Sequence, residues 1–305
     1  MPAQRHTTWT ALLNDSVHTD LLPPFLRKRL SIYLQAGFFG SPKPGHYRFS
    51  TRISLFAWIR ALEQGRQTPV RLVLNKQRTP HRLAAFLGQK LMADSAAWMA
   101  ILKDSVDLDS GRWEAQNNLL LFLPDTYEVY WTVAPTVFVE RMRSEYRRFW
   151  NPERINRAQA QGLSPREALI LASIIEEETQ YEAERPRIAG VYLNRLRIGM
   201  PLQADPTIKF ALGRFDLRRI GLDHTLVASL YNTYRRTGLP PGPVCIPSKN
   251  AIKSVLDPEN HSFLYFCADP LRAGTHRFAT TFAEHTRNAR LYRKSLDLRG
   301  VKIQS

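Results

Sequence analysis

Apolar residues recur at helical spacing through much of the chain and alternate with polar ones elsewhere. Leu55, Ile59 and Leu62 predict a helix over residues 54–64, stopped by Gly65. Further helices are expected over residues 80–91, 96–102 and 135–150, the last with Val137, Phe138, Met142, Tyr146 and Phe149 on its apolar side. The first 35 or so residues also read as helical, interrupted at Pro23-Pro24. Strand candidates are residues 46–50, 70–74, 263–268 and 276–278, and a basic helix over 282–295 closes the chain. The apolar run at 118–123 leads into Pro124-Asp125-Thr126-Tyr127, and the main domain boundary is expected at 105–120.

The strongest local signal begins at Ser164. Ser164-Pro165-Arg166-Glu167 supplies an N-cap, a proline at the first helical position and the glutamate of a capping box. The following run, Ala168 to Ile175, is apolar except at Ser173, so this helix is expected to be buried on nearly all sides. A second helix is expected over 186–198, stopped by Gly199 and Pro201.

Three carboxylates, Glu176, Glu177 and Glu178, end the apolar helix, where the helix dipole disfavours negative charge. At about 100° per residue they point in different directions. Glu178 shares the face of Leu171, Ile174 and Ile175, Glu176 lies nearly opposite, and Glu177 lies to one side. Two readings stand: solvated charges where the helix reaches the surface, or one carboxyl set in an apolar stripe with its pKa raised toward that of a general acid.

Composition narrows the partners. Lys and Arg number 43 against 27 Asp and Glu, a formal charge of +16, in a chain of 305 residues that is 44% hydrophobic. Such a balance favours polyanions: nucleic acid, an acidic membrane surface or a cell-wall polymer. The charge is spread along the chain with no helix-turn-helix, RRM or zinc pattern, which argues against nucleic acid. Cys245 and Cys267 form no C-x-x-C pair, so no metal or cofactor is expected, and two buried free thiols or one disulfide remain. No stretch approaches the roughly 20 apolar residues of a membrane span.

The segment Ala172-Ser173-Ile174-Ile175-Glu176-Glu177-Glu178-Thr179 resembles one from the MltG (YceG-like) endolytic murein transglycosylases. So do Val191-Tyr192-Leu193-Asn194-Arg195-Leu196, Met200-Pro201-Leu202-Gln203-Ala204-Asp205-Pro206-Thr207, Tyr231-Asn232-Thr233-Tyr234 and Gly238-Leu239-Pro240-Pro241-Gly242-Pro243, in the family's order. Leu264-Tyr265-Phe266, His276-Arg277-Phe278, Phe122-Leu123-Pro124-Asp125-Thr126-Tyr127 and Pro44-Gly45-His46-Tyr47-Arg48-Phe49 extend the resemblance over most of the chain from about residue 40.

The resemblance implies an α+β protein: a small LysM-like α/β domain with connecting helices over 1–112, shortened at its N-terminus, and a larger mixed α+β transglycosylase catalytic domain over 113–305. It implies endolytic cleavage of the MurNAc–GlcNAc β-1,4 bond of nascent glycan strands, leaving 1,6-anhydro-MurNAc ends and terminating polymerisation. Glu178 would be the catalytic acid and then base, and an intramolecular nucleophile removes the need for a second carboxylate. Expected partners are peptidoglycan strands and peptidoglycan synthases. The family's membrane anchor, absent from this chain, implies an inner-membrane protein with an extracytoplasmic catalytic domain.

Asn194, Gln203, Asp205, Thr207, Tyr231, Asn232, Thr233 and Tyr234 are the expected substrate-binding residues: amides suit sugar hydroxyls, and aromatic faces suit pyranose rings. Each has an alternative as a turn or cap contact, strongest for Asp205-Pro206. His276 is expected to be structural, and the 238–243 prolines to form a rigid wall. Where the family carries lysine, this chain has Glu177, which either raises the Glu178 pKa further or is compensated by Arg185 or Arg187. Ile246 stands where the family has a polar residue. A non-catalytic wall-binding scaffold is the competing reading.

Overall fold

The computed structural model describes residues 40–50, 53–103, 119–217, 219–272 and 274–298. The helices expected in the first 35 residues and the 112/113 boundary lie outside them. Among the described residues the chain is mixed α+β, with ten α-helices and two two-stranded sheets. They fall into two compact units, each discontinuous in sequence.

The first unit comprises the described parts of 1–73, 84–101 and 126–139. Its helix α1 (Leu55–Gln64) starts on Ser54, whose side chain accepts from the Ala57 N–H, and ends at Gly65 in the left-handed conformation. Strand β1 (Val70–Leu74) pairs with β2 (Asp125–Val129), and both alternate: Leu72, Leu74, Tyr127 and Val129 are buried while their neighbours face out. Helices α2 (Pro80–Lys90) and α3 (Ser95–Lys103) match expectation within a residue or two. Trp98 from α3 and Tyr127 from β2 both meet Phe138 edge-on. Residues 46–50 are not a strand. Thr68 donates its N–H to the His46 carbonyl, but the next tie is the Arg48 N–H to the Thr68 hydroxyl, so no ladder forms.

The second unit comprises 74–83, 102–125 and 140–305 in its described parts. Helix α4 (Pro135–Phe149) ends as expected, and Asn151-Pro152 at once caps α5 (Pro152–Ala160), which the hydrophobic pattern did not indicate. The pivot of the unit is α6 (Pro165–Glu178), opened by the capping box at Ser164 and Glu167 and buried from Ala168 through Glu176. Four helices surround it: α5, α7 (Arg185–Arg197), α8 (Asp205–Leu212) and α9 (Lys249–Leu256). The last two were not expected either. Both are short, and α8 begins at the Asp205-Pro206 pair that reads as a turn in isolation.

Strands β3 (Tyr265–Ala268) and β4 (His276–Ala279) form an antiparallel hairpin with Phe266 opposite Phe278, followed by α10 (Phe282–Leu298). Both cysteines are free, Cys245 buried and Cys267 only half-buried.

The segment after α9 docks against α7 at Gly190, where an added Cβ would lie 2.6 Å from both the Glu259 carbonyl oxygen and His261 Nε2. Gly190→Ala is expected to cost roughly 1–3 kcal/mol by overpacking, read as a lower denaturation midpoint in urea.

Candidate active site

Where α6 ends, its three glutamates go to three separate sets of partners. Glu176 is buried and accepts from the Ser248 hydroxyl at 2.5 Å and the Ser248 N–H at 3.3 Å, with Arg185 at 3.4 Å. Ser248 caps α9, so this carboxylate sits at a helix N-terminus, where its charge is favoured. Glu177 is held by Arg78 through two hydrogen bonds of 3.1 and 2.7 Å and by Lys76 at 3.1 Å. Although burial works against the charge, these cations carry the Glu177 carboxyl below its ordinary range. Compensation at Glu177 therefore comes from Arg78 and Lys76, not from Arg185 or Arg187. Arg187 is paired with Glu259 instead.

Among the described residues Glu178 has no cationic hydrogen-bond partner. Its Oε1 accepts from the Tyr192 hydroxyl at 2.5 Å. Burial raises the carboxyl to about 7, the Tyr192 hydrogen bond lowers it, and nearby Asp205 raises it again. The neighbouring charge that raises Glu178 is thus Asp205, brought in by α8, rather than sequence-adjacent Glu177. Lys209 and Arg195 act in the opposite direction. Tyr192 itself is 1% exposed and its hydroxyl is pushed well above its ordinary pKa by burial and by Glu178, so it stays a donor. With Oε1 occupied, Oε2 is the oxygen left to carry and deliver a proton.

Asp205 reaches the site because residues 203–207 are stapled to 231–234. The Gln203 N–H donates to the Thr233 carbonyl and the Ala204 N–H to the Thr233 hydroxyl. That hydroxyl also meets Thr207 Oγ1 at 2.8 Å, and the Tyr234 hydroxyl donates to Asp205 Oδ1. Burial raises the Asp205 carboxyl, and Tyr234 lowers it.

The expected substrate residues divide accordingly. Asp205 and Tyr234 stand beside Glu178, and each is sensed electrostatically there. Gln203 is exposed, with a left-handed φ of 50° that the Thr233 hydrogen bond holds in place. Thr207, Thr233 and Asn232 are buried with their polar atoms spent internally; Asn232 donates to the Thr225 and Val227 carbonyls. Tyr231 is buried against Phe210, ring centroids 4.6 Å apart. The Asn194 amide donates to the His261 and Phe263 carbonyls. These five residues build the frame of the site rather than its open face.

Sequence reasoning missed Tyr192, Arg195 and Lys209. Tyr192 lies two residues before Asn194, about 200° away around α7, so the two cannot share a face. Arg195 is buried, gives its guanidinium to the Leu264 and Leu202 carbonyls and lies over the Tyr265 ring. His276 is structural, held by Glu184 through its Nδ1 at 2.9 Å and its N–H at 2.9 Å. Ile246 is fully buried, its N–H donated to the Gln77 carbonyl.

A model of the YceG-like family matches residues 25–291. The chain belongs to the YceG-like family. It is 38% identical over 130 residues to an endolytic murein transglycosylase of Bacillus subtilis, a match covering 43% of this chain and 35% of that protein. It is 30% identical over 213 residues to an endolytic murein transglycosylase of Streptococcus pneumoniae, covering 68% of this chain and 38% of that one. The matched stretches thus span little more than a third of those relatives' lengths. A crystal structure of a YceG-like protein from Listeria monocytogenes superposes with a TM-score of 0.61 at 25% identity, covering 86% of this chain and 89% of that one.

Because the folded Glu178 pKa of about 7 lies above the ordinary 4.5, the folded protein holds a proton between those values that the unfolded chain has released. Stability linked to this group is complete below about pH 4.5 and lost as pH rises to 7. Glu178→Gln is therefore expected to stabilise the protein by roughly 1–3 kcal/mol at pH 8 and to change little at pH 4.5, measured by thermal unfolding at both.

Proposed function

We propose that this protein is a murein lytic transglycosylase that cleaves peptidoglycan strands internally, with Glu178 as its single acid and base. The observation that carries the proposal is a half-buried carboxyl at the end of α6, raised to about 7 and held on one oxygen by Tyr192. Endolytic murein transglycosylase is also the name of the relatives it matches.

In this reading Glu178 Oε2 protonates the oxygen linking MurNAc C1 to the next GlcNAc as the C1–O bond breaks. The carboxylate so formed takes the proton from the MurNAc C6 hydroxyl, whose oxygen bonds to C1. One 1,6-anhydro-MurNAc end and one free GlcNAc hydroxyl result, no water is consumed, and Glu178 is again protonated. A carboxyl with a pKa near 7 suits both halves of that cycle. Asp205 tunes Glu178 and Tyr234 positions Asp205, while exposed Gln203 contacts the strand.

The wider expectations belong to the same proposal. The first unit is a LysM-like module, the substrate is nascent strand whose polymerisation the cleavage ends, and peptidoglycan synthases are partners. The catalytic unit works on the outer side of the inner membrane. Support for these is the family resemblance along the chain. No helix among the described residues is long and apolar enough to cross a membrane.

Purified sacculi incubated with the protein are expected to release 1,6-anhydro-muropeptides by mass spectrometry, and Glu178→Gln to reduce the yield by about a thousandfold. Reducing-end MurNAc would indicate a hydrolase. Binding without product from either protein would favour the scaffold reading.

Activity is expected to fall as pH rises through about 7, because the first step needs the protonated acid. Tyr192→Phe removes the bond that lowers the Glu178 pKa, so it should move that alkaline limb upward, seen in a pH–rate profile on soluble strands.

A further inference from the structure

Beside the Glu178 site, and on the same unit, lies a basic hollow that the chemistry above does not use. A small cavity of about 40 Å³ is lined by Arg78, Glu177, Pro206, Lys209, Phe215 and Val244. Arg78 and Arg82 both lay their guanidinium groups over the Phe215 ring, at 5.0 and 5.6 Å from its centre. Lys76 joins Arg78 on Glu177. Two cations therefore hold Glu177, Lys209 adds a third to the cavity wall, and Arg82 shares the Phe215 ring.

Glu177 uses the Nε and NH2 of Arg78 and the ammonium of Lys76. Among the described residues the Arg82 guanidinium and the Lys209 ammonium make no ion pair. Lys209 is sensed by Glu178 and Asp205 as a charge, but the side chain also forms part of the cavity wall. The hollow is thus left with net positive charge after Glu177 has been satisfied.

Size decides what fits. A water needs roughly 10–15 Å³ of such space, so the cavity takes a group of about three atoms. That is a carboxylate, not a pyranose ring. Both guanidinium groups lie over the Phe215 ring, and planar guanidinium donors suit a carboxylate.

We propose that the hollow lined by Arg78, Lys209 and Phe215, with Arg82 on the same Phe215 ring, is an anion subsite that receives a carboxylate borne by the glycan strand next to the bond being cleaved. It rests on the reading of Glu178 as the cleaving acid. The subsite holds the strand by its charge and makes the enzyme prefer strands that carry free carboxylates. Two such groups exist on this polymer, those of the peptide stems and the lactyl carboxylate exposed when a stem is removed.

The test uses the full chain carrying Glu178→Gln and three soluble strand preparations: stem-bearing, stem-bearing with carboxyls amidated, and stem-free. Amidated strands are expected to bind about tenfold more weakly than stem-bearing ones by titration calorimetry. Adding Arg82→Gln or Lys209→Gln should reduce that preference to about threefold or less, while Arg290→Gln, an equal change of charge on α10, should leave it intact. Stem-free strands that bind like stem-bearing ones show that the subsite takes either carboxylate, and those that bind like amidated ones assign it to the stem. Equal affinity for stem-bearing and amidated strands, or equal loss in Arg290→Gln, overturns the subsite even where the wild-type protein cleaves every strand. A retained preference in a protein that cleaves none keeps the subsite and overturns the transglycosylase reading.

Discussion

Everything in the second unit follows from a helix that has no solvent side. Burial of α6 from Ala168 through Glu176 means that the polar groups it carries must be satisfied by protein. Ser173 gives its hydroxyl to the Ile170 carbonyl and accepts from the Val244 N–H, which anchors the 243–246 segment across the helix. The carboxylates at the end face the same demand with full charge. Glu176 meets it with a helix N-terminus and a buried arginine, and Glu177 with two cations from the segment after β1. Glu178 alone of the three is held by a neutral donor with no cationic hydrogen-bond partner among the described residues. That difference separates two structural carboxylates from one able to hold a proton near neutral pH.

The partners also explain why so many polar residues near the site point away from it. Thr207 and Thr233 join two segments far apart in sequence, and that joint is what carries Asp205 to within electrostatic reach of Glu178. A loop joined to itself only through water would place Asp205 less closely, and the Glu178 pKa with it. Asn194 does the same for the 261–263 segment. The polar residues of the family-like motifs are therefore largely a frame, with Gln203, Asp205 and Tyr234 at its open side. Glu177 belongs to this logic too, since its pairing with Arg78 and Lys76 orders the basic hollow next to the acid.

Read alone, the sequence determined where α6 starts, that it is buried, and which of its three terminal glutamates shares the apolar face. Those features are local: a capping box, a run of side chains and a fixed angle per residue. It also determined the long helices and both hairpin strands, whose period repeats often enough to be read. Short α8 and α9 escaped because eight residues give barely two turns of pattern. Residues 46–50 have strand-like composition but no partner ladder. The partner of each glutamate was decided only by tertiary structure. Tyr192, Arg78, Ser248 and Asp205 lie 14, 99, 72 and 27 positions from the glutamates they serve, counted along the sequence. No periodicity spans such distances. A carboxyl's pKa depends on what surrounds it in space, so the sequence marked Glu178 as the best-placed acid and the fold set its proton.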